Sequence, residues 1–485
     1  MARTVILGAG ISGHTAATRL RKRLGRQHDV VVVTPNSQWN WIPSNIWVGV
    51  GRMTPRDVTF PLAPVYRKLG IEYVQARATE IHPEGVAADP TPYVVAERTD
   101  EARHGEAERI TYDYLINATG PKLNFGAVPG LGPDGHTHSV CTAAHAANAA
   151  TALGAAIERM RRGERQTLLI GTSHGLCTCE GAAFEYVFNV EYEIRAAGVR
   201  HMADIIYFSN EHELGDFGVS GLKVRVGGYV THSSTWAESL YAERGIRWII
   251  RAHVHRVEPG LVHFETLDGE RHTQRFDFAM LLPPFGGVGL TSFDRAGTDT
   301  TAELFAPNGF MRVDADYTVK PPEAWSAADW PTTYQTPRYR NVFAVGIAFA
   351  PPHAISTPHT SPNGTPITPS PPRTGMPSGI IGRAVANSIA DMIERGASSP
   401  THHASMARMG AACVASAGAS LRKGTAAAMT MYPIVPDVAR FPETGRDLRL
   451  TFGEIGLGAH WIKRILHHLF LYKARARPGW ELIPE

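Results

Sequence analysis

Thr4-Val5-Ile6-Leu7 runs straight into Gly8-Ala9-Gly10-Ile11-Ser12-Gly13, and a helical pattern from Thr15 to Leu24 follows. A buried strand that ends in a G-x-G-x-x-G turn and re-enters as a helix leaves little choice but a parallel βαβ unit. Gly8 permits the tight turn, Gly10 lets backbone approach a pyrophosphate, and Gly13 lets the helix pack close to the strand. Phosphates would sit on the helix N-terminus, where unpaired N–H groups and the helix dipole favour anions. The bland alternative is a glycine-rich turn with no ligand.

The 485 residues allow roughly three domains at about 150 residues each. A formal net charge of +3 carries no nucleic-acid signature. Four cysteines are too few for a disulfide scaffold, so each is judged by its setting. No basic segment followed by an apolar run precedes the first strand, so a cleaved secretory signal is not expected. No stretch of about 18 apolar residues lacks charge, so no membrane-spanning helix is expected.

Asp29 to Val33 reads as a second buried strand, yet Thr34-Pro35-Asn36 stands where a ribose-binding carboxylate is expected. Thr34 or Asn36 remains able to bond a ribose hydroxyl. A later strand ends in Asn117-Ala118-Thr119-Gly120, which resembles the second signature of two-dinucleotide-domain flavoproteins. Asn341-Val342-Phe343-Ala344-Val345-Gly346 fits the strand that closes their FAD site, and Val313-Asp314 upstream also resembles them. That resemblance implies FAD, with Gly8, Gly10, Gly13, Thr34, Asn36, Ala78, Ala118, Thr119, Gly120 and Gly346 as candidate cofactor-binding residues. A second strand–turn–helix begins at Gln166-Thr167-Leu168-Leu169-Ile170-Gly171, but the turn reads Gly171-Thr172-Ser173-His174-Gly175-Leu176. Side chains at Ser173 and Leu176 obstruct pyrophosphate approach and tight helix packing. The second unit is therefore expected to keep the fold with a lost or altered nucleotide site; a nonstandard NAD(P)H site is the alternative.

Cys177 and Cys179 follow this turn, before a helix expected from Glu180 to Val190. A helix N-terminus favours thiolate over thiol, and Glu180 opposes it. Two small core residues at a strand–helix junction are the structural alternative. Glu185 on that helix is expected to be a solvated or capping carboxylate, with a proton-carrying role as the alternative.

At these residues the chain resembles sulfide:quinone oxidoreductases and their flavocytochrome c relatives. Ser139-Val140-Cys141-Thr142 is similar to the segment holding the family's first cysteine. Cys179-Glu180-Gly181-Ala182-Ala183-Phe184-Glu185-Tyr186 is similar to the segment with its redox-active cysteine. Pro43-Ser44-Asn45 resembles the turn beside the flavin ring; Gly346-Ile347 resembles the family's Gly-Val pair; Arg373-Thr374-Gly375 stands where Lys-Thr-Gly is usual. The resemblance thus adds Pro43, Ser44, Asn45, Ile347 and Arg373 to the cofactor-binding candidates, and it implies catalytic roles for Cys179, Cys177 and Cys141. It departs at one place: the family's second redox cysteine follows the Gly-Val pair, and here that position is Ala348. Cys177 or Cys141 would have to replace it. In some relatives the cysteine matching Cys141 is attached to FAD. Cys413 is expected to be structural. The implied reaction is attack of a sulfur nucleophile on an oxidised sulfur involving Cys179, giving a persulfide, with two electrons passing through flavin to a quinone.

Trp461, Ile462, Ile465, Leu466, Leu469 and Phe470 recur at helical spacing near the C-terminus, with Lys463, Arg464, His467, Lys473, Arg475 and Arg477 as the polar side and end. Such a helix suits a membrane interface and is too short and charged to span; docking on the protein's own core is the alternative. Pro351 to Pro372 is expected to be an extended loop, a flap near the flavin and sulfur sites. His353, His359, His402-His403 and His467-His468 are weak signals, and no metal is expected. Together these features give an α/β protein with two Rossmann-like domains. The FAD domain is discontinuous, 1–155 and 308–400; a second domain spans 156–307; a quinone-side, membrane-anchoring region spans 401–485. The expected partners are sulfide or a small sulfur compound, a quinone and a membrane surface, with no nucleic acid and self-association left open. The rival readings are a membrane-bound NAD(P)H:quinone oxidoreductase and a non-catalytic flavoprotein that binds or assembles a partner.

Overall fold

The computed structural model describes residues 1–418 and 424–485. Strand β1 (Arg3–Leu7) leads into helix α1 (Ile11–Leu24), and β2 (Asp29–Thr34) follows. The helix starts earlier than its apolar pattern, because Gly10 is its N-cap. The Val30–Val33 run is buried throughout, as a parallel strand covered on both faces requires. The sheet order is Val342–Ala344, Tyr114–Asn117, β1, β2, Glu72–His82, then the antiparallel strands Tyr93–Arg98 and Ala107–Thr111. The first five strands run parallel, so their C-terminal ends share one edge, where ligands of open α/β sheets bind. Helix Gly375–Arg395 packs along α1. Arg23 pairs with its Asp391 at 2.8 Å, and Arg19 donates to its Asn387 at 3.1 Å.

A second parallel sheet has β3 (Gln166–Thr172) at its centre. Helix α2 (Glu180–Ala196) follows it and runs one and a half turns beyond the expected Val190. Strand β4 (Ala203–Phe208) lies on one side of β3 with Arg247–Ile249 beyond, and Phe278–Leu282 lies on the other.

The C-terminal residues are not a separate appendage. Strands Ala411–Ala417, Thr425–Met431 and Phe452–Gly456 form a sheet that continues into Lys223–Val226 and Tyr229–His232 of the middle region. Helix α3 (Leu457–Ala474) packs against this sheet. It is amphipathic in an unusual sense. Lys463 pairs with Glu185 of α2 at 2.9 Å, His467 meets Ser44 Oγ at 2.8 Å, and Lys473 pairs with Glu485 at 2.7 Å. These three belong to the polar side of the expected pattern, and they face the protein. Trp461, Ile462 and Ile465 are 46, 52 and 61 % exposed. No helix among the described residues is long and apolar enough to cross a membrane.

Candidate active site

Three turns meet at the edge of the first sheet. Gly8 N–H donates to Val33 O at 2.7 Å, Ala118 N–H to Leu7 O at 2.8 Å, and Val345 N–H to Asn117 O at 2.9 Å. Gly8 has φ +101, and a Cβ there would lie 2.2 Å from Ala118 O. A Cβ on Gly13 would lie 2.1 Å from Gly8 O. Gly346 has φ +66, and a Cβ on it would strike Ser12 Oγ in the first turn of α1. By contrast, a Cβ on Gly10 or Gly120 meets nothing within 4 Å. The glycines therefore divide into Gly8, which lets the first turn press on the Ala118 turn, Gly13, which brings α1 against the end of β1, Gly346, which lets the closing strand reach α1, and Gly10 and Gly120, which border open space. That is the cradle a dinucleotide pyrophosphate needs, and these residues fit FAD.

The other cofactor candidates are arranged around this edge. Thr34 is buried at the end of β2; Asn36 is exposed, and its carbonyl accepts from Tyr73 Oη at 2.9 Å. Ala78 lies where strand Glu72–His82 has run past β2, beside a bulge. Thr119 caps back onto Asn117 Oδ1 through its hydroxyl at 2.8 Å. Pro43 is half-buried. The Ser44 and Asn45 side chains are already engaged: Ser44 with His467, Asn45 with Val140 O at 3.2 Å. Their contribution is to hold this turn against Cys141 and the C-terminal helix. Tyr186 of α2 ties the same turn from the other side, donating to Gly49 O at 2.9 Å.

Arg373 is the cation of the site. Its guanidinium donates to Ile347 O at 2.8 Å and Phe349 O at 3.3 Å, and stacks over the rings of Phe310 (4.6 Å) and Phe349 (5.5 Å). Burial lowers its pKa to about 10, opposed by the Cys179 thiol, so it is charged at neutral pH. Ala348 is buried, and its carbonyl accepts from Met311 N–H at 2.9 Å. No sulfur is available there.

All four cysteines are free. Cys179 is the N-cap of α2 with φ 72, a left-handed conformation for a residue with a Cβ, which costs about 1–3 kcal/mol. Its thiol pKa is raised, first by burial, then by Glu180, then by Cys141. The helix dipole does not prevail over desolvation here. Cys141 is half-buried, its N–H bonded to Ser139 Oγ at 3.1 Å, and burial raises its thiol to about 11. Cys177 is fully buried beneath the β3–α2 turn. Its Sγ accepts from His174 N–H at 3.3 Å and donates to Leu282 O at 3.3 Å, and burial raises it to about 12. Cys413 lies on strand Ala411–Ala417 against the first turn of α2; its Sγ would be 3.1 Å from a Cβ on Gly181. Glu185 is neither solvated nor capping: it is buried, accepts from Ser416 N–H at 3.1 Å and pairs with Lys463.

The Pro351–Pro372 segment crosses the second unit at the point where a nucleotide would enter. Thr368 N–H donates to Gly175 O and Ser370 N–H to Cys177 O, each at 2.8 Å, and Thr178 Oγ1 donates to Pro371 O at 3.0 Å. A Cβ on Gly175 would lie 2.0 Å from Pro366 O. The turn that carries a pyrophosphate in relatives with G-x-G-x-x-G is thus covered by the protein's own chain.

Residues 2–194 match the family described as pyridine nucleotide-disulphide oxidoreductase. The chain is 28% identical over 471 residues to the sulfide-quinone reductase of Aquifex aeolicus, covering 97% of this chain and 90% of that protein. It is similar to the crystal structure of the sulfide:quinone oxidoreductase from that bacterium, with a TM-score of 0.75 at 26% identity, covering 99% of this chain and 94% of the other. The NDH2 of Plasmodium falciparum in complex with NADH shares the fold, with a TM-score of 0.62 at 12% identity over 98% of this chain and 96% of the other. Motifs, architecture and similarity over nearly the whole length make the chain similar to sulfide:quinone oxidoreductases, on a fold of the pyridine nucleotide-disulphide oxidoreductase type.

Proposed function

We propose that the chain is an FAD-dependent oxidoreductase that takes two electrons from sulfide, or a related small sulfur compound, at Cys179 and delivers them to a membrane quinone. The observation that carries this reading is the Cys179 N-cap. A thiol held in a left-handed turn is set at the junction of the two Rossmann-like units, with Cys141 and the buried Arg373 as its charged or ionisable neighbours. When bound at the Gly8–Gly13 cradle, FAD supplies the two-electron acceptor that links sulfur chemistry to a quinone.

The chain's own residues do the rest. HS⁻ attacks the Cys179 sulfur of an oxidised Cys141–Cys179 pair; one S–S bond forms, the Cys141–Cys179 bond breaks, and Cys141 leaves as thiolate. Cys141 is the better partner because Cys177 is enclosed by His174, Ser173 and Leu282. The Arg373 charge favours every thiolate state nearby. The FAD unit comprises 1–155 and 308–400, the second unit 156–307, and 401–485 forms the acceptor side. The outward Trp461, Ile462 and Ile465 would rest in the membrane interface, where a quinone is found. NAD(P)H as donor is disfavoured by Ser173, Leu176 and the covering 351–372 segment.

The test is anaerobic rapid mixing of the FAD-loaded protein with sulfide and, separately, with NADH. Fast bleaching by sulfide alone is expected. Fast bleaching by NADH with none by sulfide overturns the proposal.

A further inference from the structure

Glu180 is 1 % exposed and directly follows Cys179 as the first residue of α2. Its Oε1 is buried without a hydrogen-bond partner among the described residues. A carboxyl in that position, with an acceptor unused and no cation bonded to it, is a place where a proton is held. Two more buried carboxylates face it, Glu211 and Asp216. Glu211, also 1 % exposed, follows the end of β4 and is fully bonded. It accepts from Tyr207 Oη at 3.0 Å, Ser209 Oγ at 2.8 Å and Phe217 N–H at 2.9 Å. Asp216 accepts from Ser356 Oγ at 2.5 Å and Gly218 N–H at 3.0 Å, and faces the buried Arg446.

We propose that Glu180 and Glu211 form a buried proton path behind the sulfur on Cys179. The proposal rests on the sulfide reading above. HS⁻ brings one proton into the persulfide, and that S–H bond must break before the sulfur can give up electrons. Glu180 takes this proton as it passes its own to the Glu211 carboxylate; no electrons move in this step. Burial and the neighbouring carboxylates push Glu180 well above the usual carboxylate range and Glu211 up to about 7. The groups that bear on Cys179 itself are Glu180, Cys141, Cys177 and Arg373. Those that bear on Glu211 include Asp216, Tyr207 and Tyr241.

The experiment uses FAD-loaded Glu180→Gln, Glu180→Asp and Glu211→Gln proteins with two readouts. The first is the rate of flavin reduction by sulfide across the neutral pH range. The second is the pH midpoint of Cys179 alkylation by iodoacetamide, followed by peptide mass spectrometry, which needs no turnover. Glu180→Gln and Glu211→Gln are each expected to slow sulfide-driven reduction by about a hundredfold at neutral pH, with Glu180→Asp recovering part of the rate. Glu180→Gln is also expected to lower the Cys179 alkylation midpoint, since a neutral amide cannot repel a thiolate. A wild-type rate in Glu180→Gln at every pH, or a slowed rate with an unmoved alkylation midpoint, overturns the proposal. If sulfide fails to bleach the unmodified protein, the functional reading fails by itself, and the alkylation shift still decides whether Glu180 and Cys179 share a proton. Should Glu180→Gln not hold FAD, Glu211→Gln decides: a rate unchanged across pH overturns the path.

Discussion

Replacing Ile462 and Ile465 by serine tests whether the outward face of α3 meets a membrane. The two side chains are 52 and 61 % exposed, so about half of each is available for burial in lipid. Full burial of an isoleucine is worth about 1.5–3 kcal/mol; half of that for each gives about 2 kcal/mol for the pair. At about 1.4 kcal/mol per tenfold, affinity for vesicles should fall by about thirtyfold. The helix itself should hold, because its inward anchors are Lys463–Glu185, His467–Ser44 and Lys473–Glu485. Exposed substitutions away from such anchors shift stability by about 0.5 kcal/mol or less. The assay is co-sedimentation with liposomes, with thermal unfolding as a control. Vesicle affinity within threefold of the unsubstituted protein, at an unchanged unfolding midpoint, would refute the reasoning that this face is lipid-directed.

Other outcomes follow from the same geometry. Gly13→Ala places a Cβ 2.1 Å from Gly8 O, so α1 must shift; a stability loss of about 1–3 kcal/mol and loss of bound FAD are expected, read by unfolding and flavin absorbance. Lys463→Met leaves Glu185 buried without its cation, a change of about 3–5 kcal/mol, and calorimetry should show it. Arg373→Met removes the cation near Cys179, so the pH midpoint of Cys179 alkylation should rise; an unchanged midpoint contradicts the electrostatic role. Burial pushes Glu211 up to about 7, above the ordinary 4.5 of a glutamate. Its contribution to stability is therefore full at low pH and is lost as pH rises through about 7, and chemical denaturation of Glu211→Gln should lack that part of the pH slope.

The first βαβ unit was legible because its signals are local. Val30–Val33 has no polar face, and Gly8 and Gly13 stand where a Cβ would collide with backbone. The Ala118-Thr119-Gly120 and Gly346 turns carry the same kind of information. The five-stranded sheet was missed for a physical reason. Ala411–Ala417 and Thr425–Met431 are rich in alanine, which favours helices, and their strand state comes from pairing with each other and with Phe452–Gly456, which in turn meets Lys223–Val226 more than two hundred positions away. Helix α3 begins four residues before Trp461, the first position of its apolar pattern, and its polar side turns toward the protein. Lys463 and Lys473 meet the carboxylates of Glu185 and Glu485 there, partners that no local pattern announces. Periodicity identifies a helix; it cannot say which stripe has a partner. Ser44 illustrates the same limit. Its motif placed it beside a cofactor, while its hydroxyl is bonded to His467, more than four hundred residues away in sequence.

The central claim is that sulfur chemistry occurs on Cys179. Mass spectrometry of the FAD-loaded protein, mixed anaerobically with one equivalent of sulfide and then trapped by alkylation, tests it directly. The account predicts one added sulfur on the Cys179 peptide, and its absence together with loss of flavin bleaching in Cys179→Ser. An added sulfur on another cysteine, or bleaching that persists in Cys179→Ser, would contradict it.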